Sequence, residues 1–353
     1  MVDRSLVGVL YGVSPIGLGH ASRAAAVGSV LAQRGVEVTF ATGGPAVPFL
    51  KSYGFNVVEA IAEPNPHVFG GKVVLSSLWY IRYWVGYRAS KKRMAALADQ
   101  LRPDLIVGDE EFSGLSLASE RGWKCAMIAD ELDLAFARTY VTRRIESSVR
   151  SWYSSLQAKV SLLIVPDCGR DTGNVRYVGP VVRPVTRSRE EALKGVGLPP
   201  EKRLILVSLS GSGIGSYLAE RAVKAIRDMK RENCVTAVVG GDGPRHNEDM
   251  VHYLGFVRDQ QDLIGASDLV IALAGKSTID EASSSGTPII AIPIRNHFEQ
   301  EKNAARLGYS YSDIDRLAEL IPSNLGRRLD PKNYDGAARA ADELVALIGS
   351  PEP

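Results

Sequence analysis

The sequence has few cysteines and no long apolar run, and each absence excludes a class of protein. Cys125, Cys168 and Cys234 are far apart and form no Cys-x-x-Cys pair, which argues against a disulfide framework or a zinc site. No stretch reaches the roughly 20 apolar residues that a membrane-spanning helix needs. No signal-peptide pattern follows Met1. We therefore expect a cytoplasmic protein whose only contact with a membrane is peripheral.

The chain also carries little net charge and few histidines. Its net charge is +2 over 353 residues, which gives no indication of nucleic-acid binding. The five histidines lack the spacing of metal ligands, so we expect no bound metal and no other cofactor. Apolar residues make up 45% and charged residues 23%, as in soluble globular proteins, and the length suits two domains.

Short apolar runs alternate with helical patterns along the whole chain. These runs are rich in Val, Ile and Leu and end at Gly, Pro or Asp, which is typical of parallel strands buried on both faces. The helices between them predict βαβ crossovers, and hence a doubly wound α/β sheet in each half. The predicted strands are SLVGVLYG, VEVTFAT, FNVVEAI, DLIVGDE, KCAMIAD and SLLIVPD in the first half and RLILVSLS, CVTAVVGG, HYLGF, DLVIALAG and PIIAIPI in the second.

A proline-rich segment of mixed charge separates the two series of strands. We predict an N-terminal domain over residues 1–180, a linker over 181–203, a C-terminal domain over 204–335 and a closing amphipathic helix over 336–353. Two such domains that face each other form a cleft, and the loops after the strands line it.

The stretch GVSPIGLGHASR follows the first predicted strand and begins a helix. Gly17 and Gly19 complete only part of a dinucleotide-binding pattern, and the next strand ends in TFATGG without the acidic residue that binds ribose, which argues against NAD. One interpretation is a plain glycine loop with a surface histidine. The sharper hypothesis makes His20 a general base, because a helix N-terminus disfavours the imidazolium form and the glycines give a sugar room to approach.

Three consecutive carboxylates end another predicted strand of the first half. Asp109, Glu110 and Glu111 lie where its C-terminal end meets the predicted cleft. One of them, with Asp109 as our candidate, is placed to orient His20 or to contact a substrate. The alternative is that these carboxylates cap the following helix.

Two loops of the second half follow predicted strands and precede helices. The loop SLSGSGIGS, residues 208–216, is either an anion site built from backbone N–H groups or a plain connection. The tract AGKST lacks the earlier glycine that a P-loop requires. Three residues after Thr278, Glu281 is either the acidic member of a capping box or a ribose ligand.

Residues 72–94 interleave aromatic and basic side chains and contain no acidic residue. This pattern favours a helix that lies on a membrane surface with anionic head groups. The alternative is that the aromatic rings pack on the domain core while the basic residues are solvated. The arginines of 138–152 extend the pattern. The residues assigned to the membrane or acceptor-lipid face are Trp79, Tyr83, Trp84, Arg88, Lys91 and Lys92.

The densest motif lies in residues 265–307. It runs through a strand, a small residue followed by Gly-x-x-Thr, a Glu three residues on, Gly-x-Pro, a second strand that ends in Pro, and then Gln and Asn-Ala. These residues are Gly275, Thr278, Glu281, Gly286, Pro288, Pro293, Gln300, Asn303 and Ala304. The segment resembles the nucleotide-sugar-binding region of GT-B glycosyltransferases, in particular the branch with the bacterial peptidoglycan N-acetylglucosaminyltransferase.

The resemblance implies a fold of two facing Rossmann-like domains and a role for each motif. In that family a glycine loop ending in Gly-His carries the base toward the acceptor hydroxyl, here Gly19 and His20. On the donor side it implies that Glu281 holds the ribose and Gln300 the donor sugar. The resemblance further implies that Lys276, Ser277 and Thr278 contact the diphosphate and that Phe256 lies near the expected uracil pocket. The residues that stand where the family has its second glycine loop are Ser210, Gly211, Ser212 and Gly213.

Two departures separate the chain from that pattern. The first loop reads GLGHASR where the family has Gly-Gly-x-Gly-Gly-His, and Glu299 precedes Gln300 where the family has two glutamines. The second departure alters the contacts to the donor sugar, and the first is similar to archaeal or diverged members.

The sequence therefore predicts an inverting, metal-independent glycosyltransferase that takes N-acetylglucosamine or a related hexose from a UDP-sugar. The predicted acceptor is a hydroxyl of a polyprenyl-phosphate-linked glycan or cell-envelope precursor. The alternatives are a non-hydrolysing UDP-sugar 2-epimerase of the same fold, and a non-catalytic subunit that binds a nucleotide sugar or a membrane.

Overall fold

The computed structural model describes residues 7–64, 67–74, 77–130, 132, 140–209, 214–229, 233–241 and 243–350. The chain divides into two compact units. The first is formed by Met1–Pro66, Leu75–Val181 and Tyr334–Pro353, and the second by His67–Val74 and Val182–Asn333. Almost all of the segment predicted as a linker is therefore part of the second unit, and the closing helix is part of the first.

Strands and helices alternate as the apolar pattern indicates. Within the described residues the strands are β1 (Gly8–Val13), β2 (Glu37–Thr42), β3 (Asn56–Glu59), β4 (His67–Phe69), β5 (Lys72–Val74), β6 (Leu105–Asp109), β7 (Cys125–Ile128), β8 (Leu162–Val165), β9 (Val175–Tyr177), β10 (Arg203–Ser208), β11 (Cys234–Val239), β12 (His246–Glu248), β13 (Val251–Gly255), β14 (Leu269–Leu273) and β15 (Ile289–Ile292). The helices are α1 (Gly19–Gln33), α2 (Ala46–Ser52), α3 (Ser77–Leu101), α4 (Phe112–Arg121), α5 (Tyr140–Gln157), α6 (Arg189–Gly195), α7 (Ser216–Asp228), α8 (Gln260–Ala266), α9 (Lys276–Ser284), α10 (Phe298–Arg306), α11 (Leu317–Asn324) and α12 (Gly336–Gly349), with a 3₁₀ helix at Tyr311–Arg316.

The first unit contains a parallel sheet with the strand order β3-β2-β1-β6-β7-β8-β9. The strand order reverses between β1 and β6, which pair in parallel with Val13 opposite Asp109. The loops that follow these two strands therefore emerge side by side at the carboxyl edge of the sheet, which is where open α/β sheets bind ligands.

The second unit contains a sheet with the order β12-β13-β11-β10-β14-β15, parallel except for the antiparallel pair β12 and β13. Its order reverses between β10 and β14. The tract AGKST begins directly after β14, so it lies at that switch point. The prediction of a doubly wound α/β sheet in each half is confirmed.

The hairpin of β4 and β5 comes from the first half of the chain but belongs to the second unit. Its backbone pairs with Arg295, through the N–H of Val73 and the carbonyl of Gly71. Gly71 has a φ of 71°, and a Cβ there would lie 2.8 Å from Cε2 of the Tyr217 ring and 2.8 Å from the hydroxyl of Tyr311. A glycine is therefore required where the hairpin packs against these two tyrosines.

Apolar side chains cover both faces of each sheet. In the first unit one layer includes Tyr11, Phe40 and Leu31, and the layer on the other face includes Met94 and Leu115. Helix α12 adds Ala340, Ala341 and Leu344 to the first of these layers. Among the helices of the described residues, none is long and apolar enough to cross a membrane.

Candidate active site

The glycine loop between β1 and α1 places His20 at the first turn of a helix. Gly17 has a φ of 73° and open space around its Cα, and α1 begins at Gly19. His20 is the second residue of α1, and 17% of its side chain is exposed. The sequence prediction that His20 lies at a helix N-terminus is therefore confirmed.

The imidazole of His20 lies between two consecutive carboxylates at the end of β6. His20 Nδ1 is 3.1 Å from Asp109 Oδ1, and Nε2 is 3.6 Å from Glu110 Oε2. Asp109 is the last residue of β6 and is fully buried. Glu110 has a φ of 47°, in the left-handed region that non-glycine residues rarely adopt, and such backbone strain clusters at functional sites.

Arg23, which the sequence analysis did not single out, also binds Asp109. Arg23 is 4% exposed and donates from Nε to Asp109 Oδ2 at 2.9 Å and from Nη2 to Asp109 Oδ1 at 2.5 Å. Its Nη1 donates to Asp130 Oδ1 at 2.5 Å. His20 and Arg23 are three residues apart on α1, so they share a face of the helix. That spacing after the glycine loop is the signal that could have identified Arg23.

The charges around His20 overturn the expectation of a neutral imidazole. Burial lowers the pKa of His20, but the charges of Glu110 and Asp109, with the hydrogen bond to Asp109, outweigh it and raise the pKa to about 9. The helix N-terminus was expected to disfavour the imidazolium form. Two carboxylates within 4 Å act more strongly than a helix dipole, because they carry full charges at shorter range.

The three consecutive carboxylates have separate roles. Burial raises the pKa of Asp109, but the charge and the hydrogen bonds of Arg23 outweigh it and hold that pKa below its usual value. Burial raises the pKa of Glu110. Glu111 caps α4, since its side chain accepts from the backbone N–H groups of Ser113 and Gly114. The sequence left two roles open for these carboxylates, which were contact with His20 and capping of the next helix. Asp109 contacts His20, and Glu111 caps α4.

A further acid that the sequence analysis missed lies near this cluster. Glu63 follows β3, and Ser14 Oγ donates to its Oε2 at 3.2 Å. Burial and the charge of Glu111 raise the pKa of Glu63 to about 8, so it is mostly protonated at neutral pH. Glu63 lies in a loop four residues beyond a short strand, and nothing in its local sequence marks it.

Three side chains of the cluster have the composition of a metal site. Ligand atoms of His20, Glu110 and Asp130 lie within 4.8 Å of one another, and no other such group occurs in the part of the chain that the structure describes. The guanidinium of Arg23, however, donates a hydrogen bond to Asp130 Oδ1, and its positive charge repels a cation. These residues do not fit a metal ion, and metal independence remains a prediction.

In the second unit, the residues matched to a nucleotide-sugar site follow the carboxyl ends of neighbouring strands. Gly275 is the N-cap of α9, and Lys276, Ser277 and Thr278 form its first turn. Lys276 Nζ also forms an ion pair with Asp280 at 2.9 Å. A helix N-terminus is suited to anions such as a diphosphate, because its dipole favours negative charge.

The structure contradicts the capping-box interpretation of Glu281. The N-cap of α9 is Gly275, so Thr278 and Glu281 both lie inside the helix. Glu281 is 4% exposed and accepts from Arg183 Nε at 2.9 Å. Arg183 comes from the segment predicted as a linker and also donates to the carbonyl of Arg258. The ribose-binding role of Glu281 stays a prediction.

The remaining donor-side residues take different positions. Gln300 lies in α10 and its Oε1 accepts from the backbone N–H of Ile294, the second residue after β15. Asn303 is buried and donates to the carbonyl of Ala274, directly before the α9 N-cap. Phe256 follows β13 and is 46% exposed, so its ring is accessible to the nucleobase of a donor. Ser210, Gly211, Ser212 and Gly213 lie outside the described residues.

The segment expected to face a membrane forms most of α3, and its residues divide between two environments. Trp79 donates to the carbonyl of Pro64 and stacks on Tyr83, and Lys91 pairs with Glu120. An exposed stripe runs along the helix on the other side. It consists of Ile81, Trp84, Val85, Arg88 and Lys92. Tyr87 is buried, as the core-packing alternative expected for some of the aromatic residues.

Comparisons with known proteins place this arrangement in a family. The profile described as "Glycosyl transferase family 1" matches residues 7–321. An uncharacterized glycosyltransferase of Methanosarcina acetivorans is 25% identical over 95% of this chain and 91% of its own. The UDP-N-acetylglucosamine--N-acetylmuramyl-(pentapeptide) pyrophosphoryl-undecaprenol N-acetylglucosamine transferase of Halalkalibacterium halodurans is 30% identical over 82% of this chain and 85% of its own.

A solved structure shows the same architecture. The spinosyn rhamnosyltransferase SpnG, complexed with thymidine diphosphate, superposes with a TM-score of 0.57 at 17% identity and covers 97% of this chain and 96% of its own. Together with the two Rossmann-like sheets, this likeness identifies the fold as that of GT-B glycosyltransferases. The chain therefore belongs to glycosyl transferase family 1 and is a glycosyltransferase.

Proposed function

We propose that this glycosyltransferase is an inverting, metal-independent enzyme that transfers N-acetylglucosamine or a related hexose from a UDP-sugar to an acceptor hydroxyl, with His20 as the base. The observation that carries the proposal is the contact between His20 and Asp109 at the switch point of the first sheet. Asp109 accepts a hydrogen bond from Nδ1–H, which leaves Nε2 to take the proton of the acceptor hydroxyl.

The transfer step involves two bonds at the anomeric carbon of the donor. The acceptor oxygen forms the new glycosidic bond as its O–H proton passes to His20 Nε2. The bond from the anomeric carbon to the diphosphate oxygen breaks, and UDP leaves with the electron pair. Because attack and departure occur on opposite faces, the configuration inverts. The imidazolium that forms is stabilised by Asp109 and Glu110, which lie on either side of the ring.

The raised pKa of His20 sets the pH dependence of this step. With a pKa of about 9, His20 is neutral in roughly one molecule in a hundred at pH 7. The neutral fraction, and with it the rate of proton abstraction, rises with pH until about 9. A strong base is suited to an unactivated hydroxyl, whose own pKa is far higher.

The donor is proposed to bind the second unit. The N-terminus of α9, with Lys276 and Thr278, receives the diphosphate and stabilises the charge of the leaving UDP in place of a metal. Glu281 accepts hydrogen bonds from the ribose, and Arg183 holds its carboxylate in one orientation. The experiment below compares donors with different nucleobases, since SpnG was solved with thymidine diphosphate.

The acceptor is proposed to be a sugar of a polyprenyl-phosphate-linked glycan or cell-envelope precursor. Glu110 and Asp130 lie beside His20, and Arg23 is the cation that opposes them. Carboxylates accept hydrogen bonds from sugar hydroxyls and repel phosphate. The attacked hydroxyl therefore belongs to a neutral part of the acceptor, away from any lipid phosphate.

The exposed stripe of α3 is the proposed contact with an anionic membrane. Its apolar side chains, Ile81, Trp84 and Val85, suit the interface, and Arg88 and Lys92 suit anionic head groups. Replacing Val85 by Ser together with Lys92 by Gln should abolish binding to vesicles that contain anionic lipid. Lys194→Gln, at an exposed position of α6, serves as the control. Equal vesicle binding by both proteins would remove the membrane contact from the proposal.

The proposed activity is tested by donor binding and turnover. Calorimetry with UDP, thymidine diphosphate and GDP should show the tightest binding for UDP, and Glu281→Gln should weaken it at least tenfold. UDP release from the UDP-sugar should require an acceptor and should fall at least a hundredfold in His20→Gln. Release of UDP without acceptor, with conversion of the donor sugar, would favour the epimerase. Unchanged turnover in His20→Gln would exclude His20 as the base.

A further inference from the structure

The guanidinium of Arg23 makes more contacts in the first unit than an ion pair needs. Two of its nitrogens donate to the two oxygens of Asp109, at 2.9 and 2.5 Å, and a third donates to Asp130 at 2.5 Å. Its Nη2 also lies 3.1 Å from His20 Nδ1, but this approach is not a hydrogen bond when Nδ1–H donates to Asp109, because a guanidinium only donates. Arg23 is 4% exposed, so these contacts are made away from solvent. Each polar edge of the guanidinium is therefore occupied by one of the groups around His20.

We propose that Arg23 is a positioning residue for the transfer reaction: its guanidinium fixes the carboxylate of Asp109 so that Oδ1 faces His20 Nδ1 and the opposite nitrogen, Nε2, remains for the acceptor. The inference rests on the proposed function, in which His20 is the base. Arg23 itself contacts neither His20 Nε2 nor, by this geometry, the reacting atoms, and it acts through Asp109.

The planar shape of the guanidinium explains why an arginine is found here. The two parallel N–H groups define the plane of the Asp109 carboxylate, whereas the ammonium of a lysine would leave the carboxylate free to rotate about its last bond. A third nitrogen of the guanidinium, Nη1, donates to Asp130, which follows β7. Arg23 of α1 thus joins Asp109, at the end of β6, to Asp130 after β7, and the imidazole that Asp109 contacts has one favoured orientation.

Arg23 also balances the charges that face His20. The acidic groups on that side are Asp109 at the end of β6, Glu110 directly after it, Asp130 after β7 and Glu63 after β3. The phenol of Tyr11 in β1 lies near Asp109 and Arg23. The positive charge of Arg23 lowers the pKa of His20, against the carboxylates that raise it. Without Arg23 the carboxylates of Asp109 and Asp130 lose their shared partner. The proton of His20 is then held more tightly, and the neutral base is rarer.

Nitrogen-15 NMR of the histidine side chains tests the proposal without a substrate. In the wild type, His20 should titrate near 9, with the proton of the neutral form on Nδ1. In Arg23→Gln the pKa should rise by roughly one unit and the neutral form should lose its preference for Nδ1–H. Arg23→Lys should keep the pKa near the wild-type value while the tautomer preference weakens. Identical titration and tautomer in all three proteins would overturn the proposal.

Kinetics supply a second measure in the same variants. A pKa raised by one unit makes the neutral base tenfold rarer at pH 7, so kcat of Arg23→Gln should fall roughly tenfold or more while KM for the donor is unchanged. Arg34→Gln is the matched control, since Arg34 follows the same helix and forms an exposed ion pair with Asp342. A loss confined to the donor KM would contradict a positioning role.

Two results separate this inference from the proposed function. If Arg23→Gln does not fold, the double variant Arg23→Gln/Asp130→Asn removes one of the two carboxylates that lose their partner, and its His20 titration and tautomer decide the question. If His20→Gln retains full turnover, the proposed base is wrong, whereas the NMR measurement still reports whether Arg23 orients the imidazole. Normal tautomer and titration in the double variant would overturn the positioning role by itself.

Discussion

Replacing His20 by glutamine should change how the stability of the protein depends on pH. The pKa of His20 is about 9 in the folded protein, against the usual value of 6.5. The folded state therefore holds this proton more tightly than the unfolded state. His20 contributes stability that is fully present below pH 6.5 and is lost as the pH rises through 9. At about 1.36 kcal/mol for each pH unit, the interval corresponds to about 3 kcal/mol.

Urea unfolding of the wild type and of His20→Gln, from about pH 6 to about pH 10, measures this contribution. The wild-type free energy of unfolding minus that of the variant should fall by about 3 kcal/mol over the range. Glu63, whose pKa is raised to about 8, also loses stabilisation as the pH rises, but it is present in both proteins and the subtraction removes most of its effect. A difference that is constant to within about 1 kcal/mol would refute the proposed charge environment of His20.

Three further predictions concern the cap, the hairpin and the rate. Glu111→Ala removes the carboxylate that accepts from two buried N–H groups of α4 and should lower the free energy of unfolding in urea by about 1–2 kcal/mol. Gly71→Ala should lower the free energy of unfolding by about 1–3 kcal/mol because its Cβ meets the Tyr217 ring and the Tyr311 hydroxyl, whereas Gly70→Ala, with a positive φ and open space, should lower it less. The wild-type kcat should rise about tenfold per pH unit from pH 7 and level near pH 9, and a flat profile would contradict His20 as the base.

The strands and the loops at their ends could be predicted from the sequence. A parallel strand buried on both faces must be almost wholly apolar, so runs such as DLIVGDE and DLVIALAG stand out from the amphipathic helices. The polar residue that ends such a run lies at the carboxyl edge of the sheet. Asp109 was identified in this way, whereas His20 was identified from the glycine loop before a helix and Gly275 from the family resemblance.

The partners of these residues could not be predicted in the same way. Arg23 and Asp130 are separated by more than a hundred residues and become neighbours only because β1, β6 and β7 lie side by side. Arg183 falls in a proline-rich stretch whose composition indicates a linker, yet it pairs with Glu281. The capping-box spacing of Thr278 and Glu281 was misleading because the N-cap of α9 is Gly275, three residues before Thr278.

The sequence by itself determined the two doubly wound sheets, the loops that carry function and the family resemblance, because strand burial and short motifs depend on residues close together in the chain. Only the tertiary structure decided the protonation of His20. The sequence around His20 predicts a helix N-terminus, which favours a neutral imidazole. It does not show which carboxylates from distant parts of the chain lie against the ring. Asp109 and Glu110 approach the ring from another strand, and their charges at 3.1 and 3.6 Å reverse the preference. The basicity of His20 is therefore a property of the folded sheet and not of the glycine loop.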